Sequence, residues 1–274
     1  MHNIKNEEYF SLSELYHEKS KMRMVDYNFY KWINHVNSSK EIREVISKPN
    51  YTYHGYPSVS LKQNILTDKD KQEDYDMFLK RQSRREFADK PLSFASLSNI
   101  LFAGDGVNRK EKHADGVEWN MRTAPSPGGL YPIDIYCVIQ NVATVEPGLY
   151  MYSPVENCLY LISKASRDEL NEQLNASMRP MRKTVANSAV SIMLVSNMMR
   201  AKFKYKERAY RFALLEAGHI AQNISLAVEM EDAGAVCVGG FMDDALNEML
   251  DVDGLETMVQ YCILIGTANT PDNN

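Results

Sequence analysis

The chain is short of cysteine, of basic excess and of long apolar runs, and each shortage removes a class of protein. Its four cysteines, Cys137, Cys158, Cys237 and Cys262, are widely spaced over 274 residues and form no C-x-x-C pair. That excludes a disulfide scaffold and leaves no zinc-finger or thioredoxin-like spacing. Three of them lie in apolar runs and read as buried, reduced thiols. With 31 Lys and Arg against 36 Asp and Glu, the formal net charge is −5, so the positive surface that nucleic-acid binding exploits is missing. No apolar run approaches the ~20 residues of a membrane helix. The N-terminus, MHNIKNEEYFSLSELYHEKSK, has neither a signal-peptide nor a transit-peptide pattern. These absences predict a soluble, cytoplasmic protein without nucleic-acid or membrane partners. The six histidines form no H-E-x-x-H motif and no G-x-S-x-G element is present, which removes a metalloprotease reading and the commonest serine-hydrolase one. Gly104-Asp105-Gly106 has neither a third glycine at dinucleotide spacing nor a preceding strand, which excludes a Rossmann fingerprint.

What is there is ordinary globular composition, 44% hydrophobic and 24% charged. Residues 1–74 are rich in Lys, Asn, Glu, Ser and Tyr. They read as an appended arm, with helices over Ser11–Lys21 and Tyr27–Asn37 and then extended chain forced by Pro49 and Pro57. From residue 75 to 274 the pattern tightens into one domain. It starts with a charged helix, DYDMFLKRQSRRE, and a second helix capped by Ser93 or Ser96 that carries Leu97, Ile100 and Leu101 on one face. NRKEKHADGVEWNMR reads as a polar loop. Buried strands are predicted over 133–142, 190–198 and 258–266, and a hairpin over Leu149–Tyr152 and Cys158–Ile162. The longest helix, over 212–234, is apolar or small on nearly every face, which predicts burial in a core or a subunit interface. His219 within it reads as a core histidine. A short helix, DDALNEML, precedes the last strand.

Four constellations could carry chemistry. Arg81-Gln82-Ser83-Arg84-Arg85 crowds three guanidinium groups and a hydroxyl into five residues, suited either to an anion or to ion pairs on a solvated helix end. Pro125-Ser126-Pro127-Gly128-Gly129-Leu130-Tyr131-Pro132, just before a buried strand, reads as a tight turn or as backbone that lets a flat or anionic ligand approach closely. Val238-Gly239-Gly240-Phe241 makes a second small-residue corner, between the long helix and the short one. Lys204-Tyr205 puts a cation beside a phenol, which favours the ionised phenol that a general base requires; the alternative is a basic surface turn.

Taken in order, R-x-S-x-R-x-F (81–87), P-S-x-G-x-L-Y-P (125–132), G-L-Y-x-Y (148–152), F-K-Y…R-x-Y-R-x-A-L-x-E-x-G (203–218) and G-G-F (239–241) resemble the nitroreductase-like flavin enzymes, and more narrowly the azoline dehydrogenases. The resemblance covers about residues 75–268. It implies an α+β fold, a three-layer sandwich with a mixed central sheet, as an intertwined homodimer binding FMN at its interface. It further implies that Arg81, Ser83 and Arg85 hold the ribityl phosphate and pyrimidine edge. Ser126 and Gly128 would come from the partner subunit, Pro125 would also bind the cofactor, Gly239 and Gly240 would lie along the isoalloxazine, and Lys204 and Tyr205 would be catalytic. The tail TANTPDNN has no basic residue to grip the phosphate, so Arg208 and Arg211 are expected to complete its neutralisation. The implied activity is FMN-dependent oxidation of thiazoline and oxazoline rings in a ribosomally made precursor peptide, alongside a cyclodehydratase complex, with dioxygen as final acceptor. The alternatives are an NAD(P)H-dependent nitroreductase or quinone reductase, and a flavin-loaded scaffold of a peptide-modifying complex.

Overall fold

The structure is a computed structural model that describes residues 11–23, 27–47, 55–60, 69–112, 114–231 and 233–269. The extended stretch around Pro49 and the end of the tail lie outside the described residues. The chain divides into two compact units, residues 22–79 and residues 1–21 together with 80–274.

The larger unit begins with α1 (Leu12–Ser20), capped by Ser11. The first helix expected of the arm is therefore part of the larger unit. The smaller unit holds α2 (Tyr27–Ser38), α3 (Lys40–Ile46) and α4 (Lys69–Lys80), the last ending at the unit boundary. The chain from Arg81 to Glu86 forms no helix, where the charged run predicts one. The reason is a neighbouring strand, since the Arg84 N–H donates to the Ala235 carbonyl at 2.8 Å. Next come α5 (Phe94–Asp105), capped by Ser93, and a two-stranded hairpin, β1 (Val107–Lys112) and β2 (Glu118–Arg122). The hairpin replaces the expected polar loop; β1 is exposed beyond Val107 and β2 only half-buried, so no buried face imposes an apolar alternation to announce it.

The core sheet is built from β3 (Ile133–Ile139), β4 (Gly148–Ser153), β5 (Cys158–Lys164), β6 (Val190–Asn197), β7 (Ala233–Val238) and β8 (Thr257–Thr267), in spatial order β5-β4-β3-β6-β8-β7. Every strand pair in it is antiparallel, which corrects the expected mixed sheet. Between these strands lie α6 (Arg167–Ser177), α7 (Arg182–Ala186), α8 (Met199–Tyr205), α9 (Arg208–Met230) and α10 (Asp243–Met249). The long helix, expected over 212–234, would include the first two residues of β7, Ala233 and Gly234. The helix instead stops at Met230, and Gly234 to Val238 pair with β8.

Strands buried on both faces explain the continuous apolar runs. Ile133, Ile135, Ile192, Leu194, Ile263 and Ile265 face one core with α5 and α9. Val138, Met193, Val195, Cys262 and Leu264 face the other with α6, α7 and α10. This is a three-layer α+β arrangement. The two inner helices approach closely because Gly104 of α5 has no side chain: a Cβ there would stand 2.8 Å from Ile224 Cγ1. Helix α1 is fastened to the start of α9. Ser11 Oγ and Ser13 N donate to Glu207 Oε2 at 2.8 and 2.9 Å, Lys202 pairs with Glu14 at 2.8 Å and with Glu256 at 3.0 Å, and His17 Nδ1 meets Tyr210 Oη at 3.1 Å.

Candidate functional site

The sequence-predicted residues fall into two groups, one at each end of α9. At its C-terminal end lies the arginine segment. Arg84 Nη1 donates to both oxygens of Glu229 at 2.6 and 2.7 Å, and the Gln82 N–H donates to the same carboxylate at 3.1 Å. Glu229 thus neutralises the middle arginine. Arg81, Ser83 and Arg85 make no hydrogen bond or ion pair among the described residues, Ser83 and Arg85 are exposed and Arg81 half-buried. The segment is anchored beyond them by Phe87, buried against Gly234 and Gly266. Gly239 and Gly240 are the exception: they are exposed just past the end of β7, which runs back along α9 with Cys237 Sγ 3.6 Å from Ser225 Oγ, so they stand nearer the middle of the helix than its C-terminal end. Gly239 has no positive φ, and a Cβ there would make only ordinary contact with Tyr261, at 3.7 Å.

At the N-terminal end of α9, the loop 125–132 meets the Lys204-Tyr205 pair. Gly128 has φ +66°, and a Cβ on it would run into the Tyr205 hydroxyl and stand 2.8 Å from Lys204 Nζ. Glycine is required there for both conformation and space. Lys204 Nζ lies 5.2 Å from the Tyr205 ring centroid, and Tyr205 packs edge-on against Phe212 of α9 at 4.8 Å. Neighbours in sequence on a helix do not normally face each other. Here the pair closes α8, followed at once by Lys206 with φ +48°. Arg208 and Arg211, with Tyr16, Glu207, Tyr210 and Leu214, line an open cavity of about 520 Å³ between α1 and α9.

The two groups do not meet within one chain. Arg208 and Arg211 lie 21 and 18 residues before Glu229 on the same helix, which is about 32 and 27 Å at 1.5 Å per residue. Within a single chain, then, the arginines expected to complete the phosphate site stand far from Arg81, Ser83 and Arg85.

Sequence reasoning missed a buried acidic cluster behind the loop. Glu216 is fully buried on the core side of α9; its Oε1 accepts from the Ile133 N–H at 3.3 Å, and its Oε2 has no hydrogen-bond partner among the described residues. Burial pushes its pKa up to about 7, against the pull of the nearby Ser126 hydroxyl and the Ile133 N–H, and Asp105 adds to the push. Asp105 is likewise raised to about 7 by burial, although Arg122 Nη1 lies 2.5 Å from its Oδ2. Arg122 also stacks over Tyr131, 4.4 Å from the ring centroid. The available signal was a lone acid on a helix face otherwise made of Ala213, Ala217, Ile220 and Ile224. His219, expected in the core, is exposed, with Nδ1 3.2 Å from the Pro125 carbonyl. Among the described residues no His, Cys, Asp and Glu group could hold a metal, and no helix is long and apolar enough to cross a membrane.

Comparison with known proteins fits this architecture. The nitroreductase family profile matches residues 79–267. The nitroreductase-family protein MJ1384 of Methanocaldococcus jannaschii is 33% identical over 178 residues, 65% of this chain and 83% of its own. The microcin B17-processing protein McbC of Escherichia coli is 24% identical over 136 residues, so that match spans 48% of this chain and about half, 49%, of McbC. Among solved structures, a nitroreductase-family protein of Ralstonia eutropha JMP134 aligns with a TM-score of 0.56 at 29% identity, over 71% of this chain and 82% of that one. The fold also matches the Escherichia coli microcin synthetase McbBCD complex with truncated pro-MccB17 bound, with a TM-score of 0.63 at 19% identity, over 95% of this chain and 89% of that one. By fold, by ordered motifs and by family profile, this chain belongs to the nitroreductase family of oxidoreductases.

Proposed function

We propose that the protein is an FMN-dependent dehydrogenase that oxidises thiazoline and oxazoline rings of a precursor peptide to thiazoles and oxazoles. The observation that carries the reading is the Lys204-Tyr205 pair held against Gly128. The sequence relationship to McbC, a microcin-processing protein, supports a peptide substrate acted on within a synthetase complex.

The chain's residues fit the cofactor. Arg81, Ser83 and Arg85, left without partners among the described residues while Arg84 is paired, suit phosphate oxygens. Gly239 meets no requirement for glycine inside the chain, and its bare backbone suits a flat ring. FMN, when bound, supplies the hydride acceptor. Tyr205, as the phenolate, would take the proton from the ring's α-carbon and become the phenol, with the Lys204 ammonium beside it. The loop from Pro125 to Pro132 walls this side of the site and limits water.

The two half-sets also support a homodimer. The midpoint of 208 and 229 is 218.5, at Gly218 and His219. There α9 exposes Leu214 and Leu215, 39% and 52% accessible, and the place of a Gly218 Cβ is open space. Two copies of α9 packed antiparallel about that midpoint would bring Ser126, Gly128, Lys204, Tyr205, Arg208 and Arg211 of one subunit to Arg81, Ser83, Arg85, Gly239 and Gly240 of the other.

The test is direct. The purified protein should be yellow and should remove two mass units per ring from an azoline-containing peptide. Tyr205→Phe should keep FMN and abolish that loss, and retained turnover would refute the assignment of the base. A second reading, an NAD(P)H-dependent nitroreductase, is favoured by the 33% identity to MJ1384. Rapid bleaching of the flavin by NADPH with no change in azoline peptides would select it.

A further inference from the structure

The loop 125–132 holds three left-handed residues within four positions: Gly128 at φ +66°, Gly129 at +65° and Tyr131 at +47°. The two glycines adopt this backbone freely, but at Tyr131 it persists only where the surroundings impose it, and here the restraint comes from α9. Glu216 Oε1 accepts from Ile133 N–H at 3.3 Å, just past the loop. The Ser126 hydroxyl, at the other end, lies beside the same carboxyl and accepts from the Tyr131 N–H at 2.9 Å. One helical turn on, His219 Nδ1 donates to the Pro125 carbonyl at 3.2 Å. Both ends of the loop are thus tied to one side of α9, and its tip is left against Lys204 and Tyr205.

Glu216 is an expensive choice for that place. It is fully exposed to no solvent, its neighbours on the helix face are apolar, and Oε2 is unpartnered among the described residues. An apolar residue of similar size would pack there without the desolvation penalty. Packing therefore does not account for the acid, whereas its bond to the loop does.

We propose that Glu216 is a positioning residue, which fixes the glycine loop through Ile133 and Ser126 and thereby sets Gly128 against Tyr205 and Lys204, with His219 as a second tie. The inference rests on the reading of Lys204 and Tyr205 as the catalytic pair, and its test includes a readout that does not. The chain has two tryptophans. Trp119 abuts the loop, 2.8 Å from where a Gly129 Cβ would stand, so in a Trp32→Phe background its emission reports loop position with or without flavin.

At pH 6, Glu216→Gln keeps an oxygen for the Ile133 N–H and should match the parent in Trp119 emission, FMN content and kcat, within about twofold. Glu216→Leu removes the acceptor but fills the space. It should fold with an undiminished Tm, shift the Trp119 emission, and lower kcat for ring oxidation at least tenfold with less than a threefold change in KM. A Glu216→Leu protein with parental emission and kcat would overturn the proposal, as would a Glu216→Gln protein as impaired as Glu216→Leu. If the parent binds no FMN or leaves azolines unchanged, the functional reading fails by itself, and the Trp119 comparison still decides whether Glu216 holds the loop.

Discussion

Replacing Glu216 by glutamine should flatten the dependence of folding stability on pH. In the folded protein the Glu216 carboxyl titrates at about 7, raised from 4.5 chiefly by burial. Between those values the native state keeps a proton that the unfolded chain has released, so stability falls as pH rises through this window and levels off above 7. The shift of about 2.5 units at about 1.4 kcal/mol each amounts to about 3 kcal/mol, with a slope of up to about 1.4 kcal/mol per pH unit near pH 6. Asp105, raised from 3.8 to about 7 by burial against the pull of Arg122, contributes in the same direction. Removing one acid also relieves the push on the other. Urea unfolding followed by tryptophan fluorescence at pH 5, 6, 7 and 8 measures the effect. At pH 5 the variant should lead by only about 1 kcal/mol, because a neutral carboxylic acid and an amide are near isosteres and most of the titration window lies above that pH. At pH 8 the variant should be the more stable by about 3 kcal/mol. Parallel curves across the four pH values would refute the buried, proton-retaining carboxyl.

Two further outcomes follow from the ends and the middle of α9. Glu229→Ala leaves Arg84 without its two bonds of 2.6 and 2.7 Å and should cost about 2 kcal/mol in urea unfolding, the worth of charged hydrogen bonds; it should also weaken FMN binding by freeing the segment that carries Arg81, Ser83 and Arg85. Leu215→Glu places a charge on the exposed apolar stripe of α9. Light scattering should show a shift from dimer to monomer with parallel release of flavin, and a flavin-loaded monomer would contradict the shared site.

Elements buried on two faces were the most legible. Strands β3, β6 and β8 announce themselves as apolar runs, and α1 and α10 as short helical stretches. Legibility failed where a long-range partner decides the conformation. Arg81 to Glu86 has helical composition but bonds to a strand 150 residues away, and Ala233 to Val238 are small residues that become strand only against β8. The hairpin β1–β2 has no buried face to impose alternation. The site motifs were readable as local clusters, but their grouping was not. Gly128 and Tyr205 are 77 residues apart, and only the fold puts one against the other. Glu216 stood in the motif of the long helix without a role, because a single acid in an apolar helix looks like a tolerated exception until the loop it grips is seen.

The length of α9 has a genetic consequence. If the cofactor lies between one subunit's arginine segment and the other's glycine loop, Arg85→Ala damages one half of each site and Tyr205→Phe the other. Each homodimeric variant is then inactive at both sites. A mixed dimer collects both lesions in one site and leaves its second site wholly wild type. Two inactive proteins, unfolded and refolded together, would regain activity, to about one quarter of the parent's if the subunits pair at random. Complementation between alleles would then be built into a helix about 34 Å long whose two ends serve different subunits.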